Sequence, residues 1–204
     1  MVKKILTSLF LRCISLGGLL VAIDRLLVVR ALECSSVGEN VFFGKKSSVI
    51  NSGERTRIQI LDGTIVDGQL KVFNNCGSIV IGENSYIGEN SKIWSARSVE
   101  IGNNVLISHG VNICDSNCHE VDAGERAIGF ENQKKFGERI NENKVKSESI
   151  IIEDDVWINM NCIIMRGVRI GARSIIGAGS IVVKDVPVDS LVVGQAAKIH
   201  SKIT

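Results

Sequence analysis

Three histidines, His109, His119 and His200, are the residues of this chain best suited to moving a proton at neutral pH. An imidazole with an ordinary pKa of about 6.5 can take a proton from an attacking hydroxyl or amine and return it to a leaving group. His119 belongs to the stretch Ile113-Cys114-Asp115-Ser116-Asn117-Cys118-His119-Glu120-Val121-Asp122, which gathers an aspartate, two thiols and an imidazole. Asp115 could hold the imidazole in its useful tautomer or receive an acceptor hydroxyl, and it is equally an ordinary turn former. Cys114 and Cys118 suggest a nucleophile, but nothing beyond nearness to His119 would activate them. Cys114, Cys118 and His119 do not make a metal site either, because Cys118 and His119 are sequence neighbours and no second cluster completes four ligands. No metal is expected. The other cysteines, Cys13, Cys34, Cys76 and Cys162, form no C-x-x-C pair, which fits reduced thiols in the cytosol.

Chemistry of this kind needs a scaffold, and the sequence supplies one by repetition. From Val37 onward an aliphatic or aromatic residue returns every sixth position, with a small or β-branched residue four places later. The triplets begin Val37-Phe43-Val49, Ile60-Val66-Val72, Ile81-Ile87-Ile93, Ile101-Ile107-Ile113, Ile152-Ile158-Ile164 and Ile170-Ile176-Val182. Triplet starts are separated by 23, 21, 20, 51 and 18 residues, so every excess over eighteen follows a third hexad. A three-faced, eighteen-residue coil accounts for this, since all insertions then leave one corner of a triangular prism. The spacing predicts an all-β, left-handed parallel β-helix of about six coils over 37–187, with inward residues stacked about 4.8 Å apart. A long loop, 119–151, leaves after the fourth coil, and residues 188–204 form a cap or tail. Gly82, Gly88, Gly102, Gly171 and Gly177 follow inward residues, where a side chain would crowd a bend or an approaching ligand. In this frame His119 opens the long excursion, six residues after Ile113. His109 is the third residue of a hexad and faces outward, and His200 lies in the tail.

Composition narrows the partners. With 24 basic and 22 acidic residues and a net charge of +2, the chain carries no polyanion-binding signal, and nucleic acid is not expected. Twenty glycines, one proline and 4% aromatics suit short stacked strands with tight corners. Residues 1–36 are set apart by an apolar, helix-like segment over 5–23, interrupted at Arg12. Four readings stay open for it: packing within an oligomer, an interfacial membrane helix, a membrane span, or a cleaved signal.

On these residues the chain resembles the hexapeptide-repeat acyltransferases, in particular the sugar O-acetyltransferases of the maltose, galactoside, nodulation-factor and capsular-polysaccharide type. The resemblance spans Val37 to Ile199. It rests on I-G-A-G-S-I-V-V-K-D-V-P at 176–187 leading to G-Q-A-A-K at 194–198, on V-W-I-N at 156–159, and on the His119 stretch. Departures are Asn159 and Val183, where glycine and threonine are usual, Gln195-Ala196 for Asn-Pro, and Glu120 where proline is frequent. The resemblance implies a homotrimer with acetyl-CoA between subunits, His119 as general base and direct transfer to a saccharide hydroxyl. It further implies that Trp157, Asn159, Gly177 and Ala178 line the pantetheine groove, with Lys184 and Lys198 near the CoA phosphates. Asn117, Arg126 and the 119–151 excursion would meet the acceptor. A cytoplasmic location follows from acetyl-CoA use, with contact at the membrane face left open by residues 5–23.

The same fold hosts other chemistry. A carbonic-anhydrase reading needs three converging histidines, which the spacing of His109, His119 and His200 does not offer. An amino-sugar N-acetyltransferase would use His119 in the same way, and a trimeric scaffold without turnover is the remaining alternative.

Overall fold

In the computed structural model of the chain, which describes residues 29–73, 76–136 and 144–202, the repeats wind into a left-handed parallel β-helix. The first inward residue of each coil pairs with its equivalent above and below: Val37 with Ile60, Ile60 with Ile81, Ile81 with Ile101, Ile101 with Ile152 and Ile152 with Ile170. These strands form face 1. Face 2 runs in register from Phe43 to Ile176, and face 3 from Val49 to Val182. The inward isoleucines have no solvent access, so one continuous aliphatic column is the core.

One position departs from the regular hexads. In the second coil it is Leu70, not Val72, that pairs with Val49 below and Ile93 above. Val72 pairs with Ser95 one step further along, although it is also buried. The corner between Val66 and Leu70 is therefore two residues shorter than its neighbours. It closes because Gly68 lies against the next coil, where an added Cβ would stand 2.7 Å from the Ser91 carbonyl oxygen. Leu70 is hidden in the sequence because it stands four places after Val66, while Val72 keeps the six-residue spacing.

The corners are specified by asparagine as much as by glycine. Asn40, Asn84, Asn90, Asn104 and Asn161, each three residues after an inward residue, take φ between 53° and 63°. Asparagine tolerates this left-handed region better than most side chains. Gly82, by contrast, answers to close approach of the next coil: a Cβ there would lie 2.5 Å from the Gly102 carbonyl. Neither bend strain nor a ligand is required to explain it. Hydroxyls at fifth positions stitch successive coils together, as when Thr64 donates to the Gly82 carbonyl at 2.7 Å and Ser91 to that of Ser108 at 2.6 Å.

Both ends of the prism are covered. At the first coil, residues 29–34 are helical, Ala31 is buried against the core, and its carbonyl accepts from Ser35 Oγ at 2.6 Å. A partial seventh coil starts at Val186, which bridges to Ile170, and continues into the segment expected as a cap or tail, where Ser190–Val193 pairs in parallel with face 2 through Val192 and Ile176. Lys198–Lys202 then turns back antiparallel on Ser190–Val193. This reversal ends the parallel stack and covers an edge that would otherwise template another strand.

The excursion expected as a long loop contains a helix, α1, over Ala123–Phe136. Its start is written in Asp122-Ala-Gly-Glu125, where the Asp122 carboxylate accepts the Glu125 backbone N–H at 2.9 Å. An aspartate at the N-cap with glutamate three residues on satisfies the free donors of a first turn. Asp122→Ala is expected to cost about 1 kcal/mol of local stability. Faster amide exchange in the first half of α1, with the β-helix amides unchanged, is the measurement that checks it. The apolar segment at 5–23 lies outside the described residues; among those described, no helix is long and apolar enough to cross a membrane.

Candidate functional site

The two ends of the excursion leave face 3 and return to face 1 side by side. Ser116 and Ser147 form an antiparallel bridge, Asn117 N–H donates to the Lys146 carbonyl at 3.0 Å, and Glu148 N–H donates to that of Asp115 at 2.9 Å. One residue of the fifth coil locks this pinch from outside. Arg166 donates from Nε to Asn117 Oδ1 at 2.7 Å and pairs through its terminal nitrogen with Glu148. Just beyond the pinch stands His119, exposed to solvent, with the turn 115–118 beneath it and α1 following. Arg166 and Glu148 were not legible in the sequence, since they come from separate segments and neither belongs to a recognisable motif.

Asp115 is fully buried, and its carboxylate is already engaged. It accepts from Ser95 Oγ at 2.7 Å, Ala96 N–H at 2.7 Å and Arg97 N–H at 2.8 Å. Those donors belong to the corner of the coil below, so Asp115 anchors the turn to the prism rather than facing an acceptor. Of the readings open for Asp115, these bonds favour the turn-forming one, an attachment to the coil below. Asn117 is likewise held by Arg166, and its amide oxygen is turned to that guanidinium instead of outward. Arg126 folds back from α1: one guanidinium nitrogen donates to the carbonyls of Glu120 at 2.9 Å and Val121 at 3.0 Å. It therefore fixes the chain immediately after His119. Glu120 itself is buried beneath α1 at Gly129, whose hydrogen leaves room for the carboxylate that a Cβ would approach to 2.7 Å.

The other histidines occupy different settings. His109 uses Nδ1 to accept the Glu89 backbone N–H at 3.1 Å and meets Tyr86 edge to face. Asp62 and Asn103 perform the same corner service for Glu39 and Glu83, which marks His109 as one rung of that ladder. His200 lies on the terminal strand at the far end of face 2.

Residues assigned to the CoA groove fall on two different corners. Asn159, Gly177 and Ala178 lie between faces 2 and 3, one coil apart, and Trp157 leads to that corner from face 2. His119 and Lys184 both follow face 3 and share the next corner, with one coil between theirs. A face about six residues wide, at about 3.3 Å per residue, keeps the two corners roughly 15–20 Å apart. A single prism thus does not bring His119 to the groove-lining residues. Lys198 stands on the antiparallel end strand, apart from both corners. The Asn159 amide lies along the stack and donates to the Ile176 carbonyl at 3.1 Å. Ala178 is exposed, and the indole N–H of Trp157, a residue 43% exposed, reaches Ser108 Oγ at 3.4 Å.

Comparison with known proteins agrees with this architecture. The family model for the bacterial transferase hexapeptide (six repeats) matches residues 149–184, and that for the hexapeptide repeat of succinyl-transferase matches 78–114. The two matches flank the excursion. The chain is 34% identical to the galactoside O-acetyltransferase of Escherichia coli over 131 residues, 64% of this chain and 57% of that protein. It is 30% identical to the galactoside O-acetyltransferase of Lactococcus lactis over 126 residues, 62% of this chain and 54% of that protein. The chain thus spans about half the length of the curated relatives it matches. Among solved structures, a maltose O-acetyltransferase from Clostridium difficile superposes with a TM-score of 0.50 at 29% identity, covering 70% of this chain and 71% of the other.

Proposed function

We propose that the chain, whose repeats match the hexapeptide-transferase models, carries acetyl from acetyl-CoA to a hydroxyl of a saccharide, with His119 as general base. The observation that carries this reading is the exposed imidazole at the base of a pinned excursion, one corner away from the exposed Trp157 and Ala178 on the same prism. Similarity to galactoside O-acetyltransferases supports the acetyl donor and the saccharide class of acceptor.

In the proposed reaction His119 accepts the hydroxyl proton as the acceptor oxygen attacks the thioester carbonyl. The tetrahedral oxyanion is stabilised by a backbone N–H and collapses as the C–S bond breaks, and the imidazolium returns its proton to the departing thiolate. No covalent enzyme intermediate is needed. Asp115, Arg126 and Arg166 act through position: they hold the turn and the chain on either side of His119. Lys184, exposed and two coils above on the same corner, suits a phosphate of CoA.

The separation of the two corners within one chain favours a site completed by a second copy, with His119 of one prism facing the groove of its neighbour. Face 2 offers the means of association. Its outward column runs Phe42, Ile65, Tyr86, Leu106 and Trp157, mostly apolar and exposed except at the half-buried Tyr86, with Phe42 at 61% and Leu106 at 49%. A trimer of such prisms would cover this column and close every site at once. Leu106→Glu should therefore convert trimer to monomer and abolish transfer together. Light scattering on the purified variant checks it, and an intact trimer would remove face 2 from the interface.

The direct test of the reaction is acetyl-CoA consumption by the full chain against sugars, amino sugars and nucleotide sugars. Turnover that depends on a hydroxyl sugar supports O-acetyl transfer. Turnover confined to amino sugars reassigns the reaction to nitrogen, and acetyl-CoA binding absent under all conditions argues for a scaffold.

A further inference from the structure

Cys114 ends the last strand of face 3 before the excursion, and Cys118 directly precedes His119. Their sulfurs lie 3.4 Å apart, and both thiols lean on one acceptor, the Ser116 carbonyl, at 3.3 Å from Cys114 and 3.8 Å from Cys118. The turn between them is rigidly held by the three bonds to the Asp115 carboxylate, by the Ser116–Ser147 bridge and by Arg166 on Asn117. Both thiols are half-buried, unlike Cys162, which fills the core and has no solvent access. Cys118 takes φ 58°, a conformation no core-packing role requires.

We infer that Cys114 and Cys118 form a redox-active dithiol, a modification site for peroxides whose closure to an intrachain disulfide displaces His119 and arrests the transferase. The arrest rests on the function proposed above; the disulfide does not. An S–S bond of about 2.05 Å requires the sulfurs to approach by roughly 1.4 Å. With residues 115–117 anchored to the prism and the return segment, Cys118 is the end that moves, and His119 moves with it. A misplacement of about 1 Å in a catalytic group costs on the order of a hundredfold in rate.

The chemistry balances with peroxide as the named oxidant. The hydrogen bond to Cys118, followed by burial, pushes the Cys114 thiol up, so that Cys114 retains its proton while Cys118 is the sulfur that meets the oxidant. Cys118 Sγ attacks one peroxide oxygen, the O–O bond breaks, and hydroxide leaves as water, giving a sulfenic acid. Cys114 Sγ then attacks the Cys118 sulfur and the S–O bond breaks. The departing hydroxide takes the Cys114 proton and leaves as the second water. Two thiols are oxidised, one peroxide is reduced, and a thiol reductant reverses the bond by exchange.

The experiment treats the reduced full chain with a small excess of hydrogen peroxide, alkylates the remaining thiols and maps the peptides. Loss of two hydrogens in the peptide carrying both Cys114 and Cys118, blocked alkylation at both, and restoration by dithiothreitol are the expected results. Acetyl transfer should fall about tenfold to a hundredfold and return with the reductant. Cys114→Ser should transfer acetyl like the reduced wild type and be indifferent to peroxide, and Cys118→Ser serves as the independent second variant. Alkylation of both cysteines after peroxide, or a disulfide mapped to Cys34 or Cys76, overturns the dithiol. A Cys114–Cys118 disulfide with undiminished transfer overturns its coupling to His119. A chain without acetyl transfer would contradict the proposed function while leaving the peptide map to decide the disulfide.

Discussion

On the proposed mechanism, His119→Ala should lower kcat for acetyl transfer by about a thousandfold, within the range that a positioned general base contributes. The loss falls on the chemical step. His119 is exposed at the mouth of the excursion, outside the buried aliphatic column. The unfolding midpoint should therefore change little, and acetyl-CoA should bind the variant as it binds the wild type. A variant with full turnover would remove His119 from the mechanism, and a variant that loses acetyl-CoA binding would assign the residue to the donor site. His109→Ala is the natural control. It removes only the corner bond to Glu89 and the edge contact with Tyr86, and its cost should appear as a small loss of stability with turnover preserved.

Asp115→Ala has the second large effect, and it has a different character. Three donors, Ser95 Oγ and the backbone N–H groups of Ala96 and Arg97, converge on a carboxylate with no solvent access. Hydrogen bonds to a charged acceptor contribute about 1.5–3 kcal/mol each, and donors left buried without one carry their desolvation cost. Allowing for partial relaxation, the substitution should destabilise the chain by about 3–5 kcal/mol, read from urea unfolding. Transfer should fall as well, because the turn beneath His119 loses its attachment to the coil below. Asp115→Asn keeps the volume but presents an amide nitrogen where one donor already points. It should recover about half of the lost stability. Equal stability of all three proteins would mean that the buried carboxylate is not the anchor described here.

The β-helix was legible because its rule is local and repeated. An inward residue every six positions, a small residue four places on and insertions confined to one corner leave few other ways to wind the chain. Sequence and structure diverge where spacing and pairing disagree or where a contact is non-local. Val72 keeps the six-residue spacing while Leu70 serves as the inward residue, so the shortened corner at Gly68 was invisible without its neighbour Ser91. The helix in the excursion was signalled by Asp122 and Glu125, a capping pair easily taken for mixed loop charge. The seventh partial coil was hidden because Val186 follows Val182 by four residues instead of six.

Around the proposed site, the residues of the excursion were legible by position but not by partner. His119 stood out by its place at the opening of the excursion. Asp115, Asn117 and Arg126 were noticed for the right location, yet their partners, the Ala96-Arg97 corner, Arg166 and the Glu120 and Val121 carbonyls, give them holding roles. A carboxylate that orients a base and one that staples a turn look alike in sequence. Only burial and the count of donors around it distinguish them.

Subunit complementation tests most directly the claim that a transferase site is assembled from His119 of one copy and the groove corner of another. Ala178 is exposed on that corner, so Ala178→Trp fills the groove without entering the core. His119→Ala and Ala178→Trp chains should each be inactive alone. Unfolded, mixed in equal amounts and refolded together, they should regain about a quarter of wild-type turnover, the share of sites in a random trimer that pair an intact histidine with an intact groove. Mixed trimers that form but remain inactive would contradict the shared site and return both halves of the chemistry to a single chain.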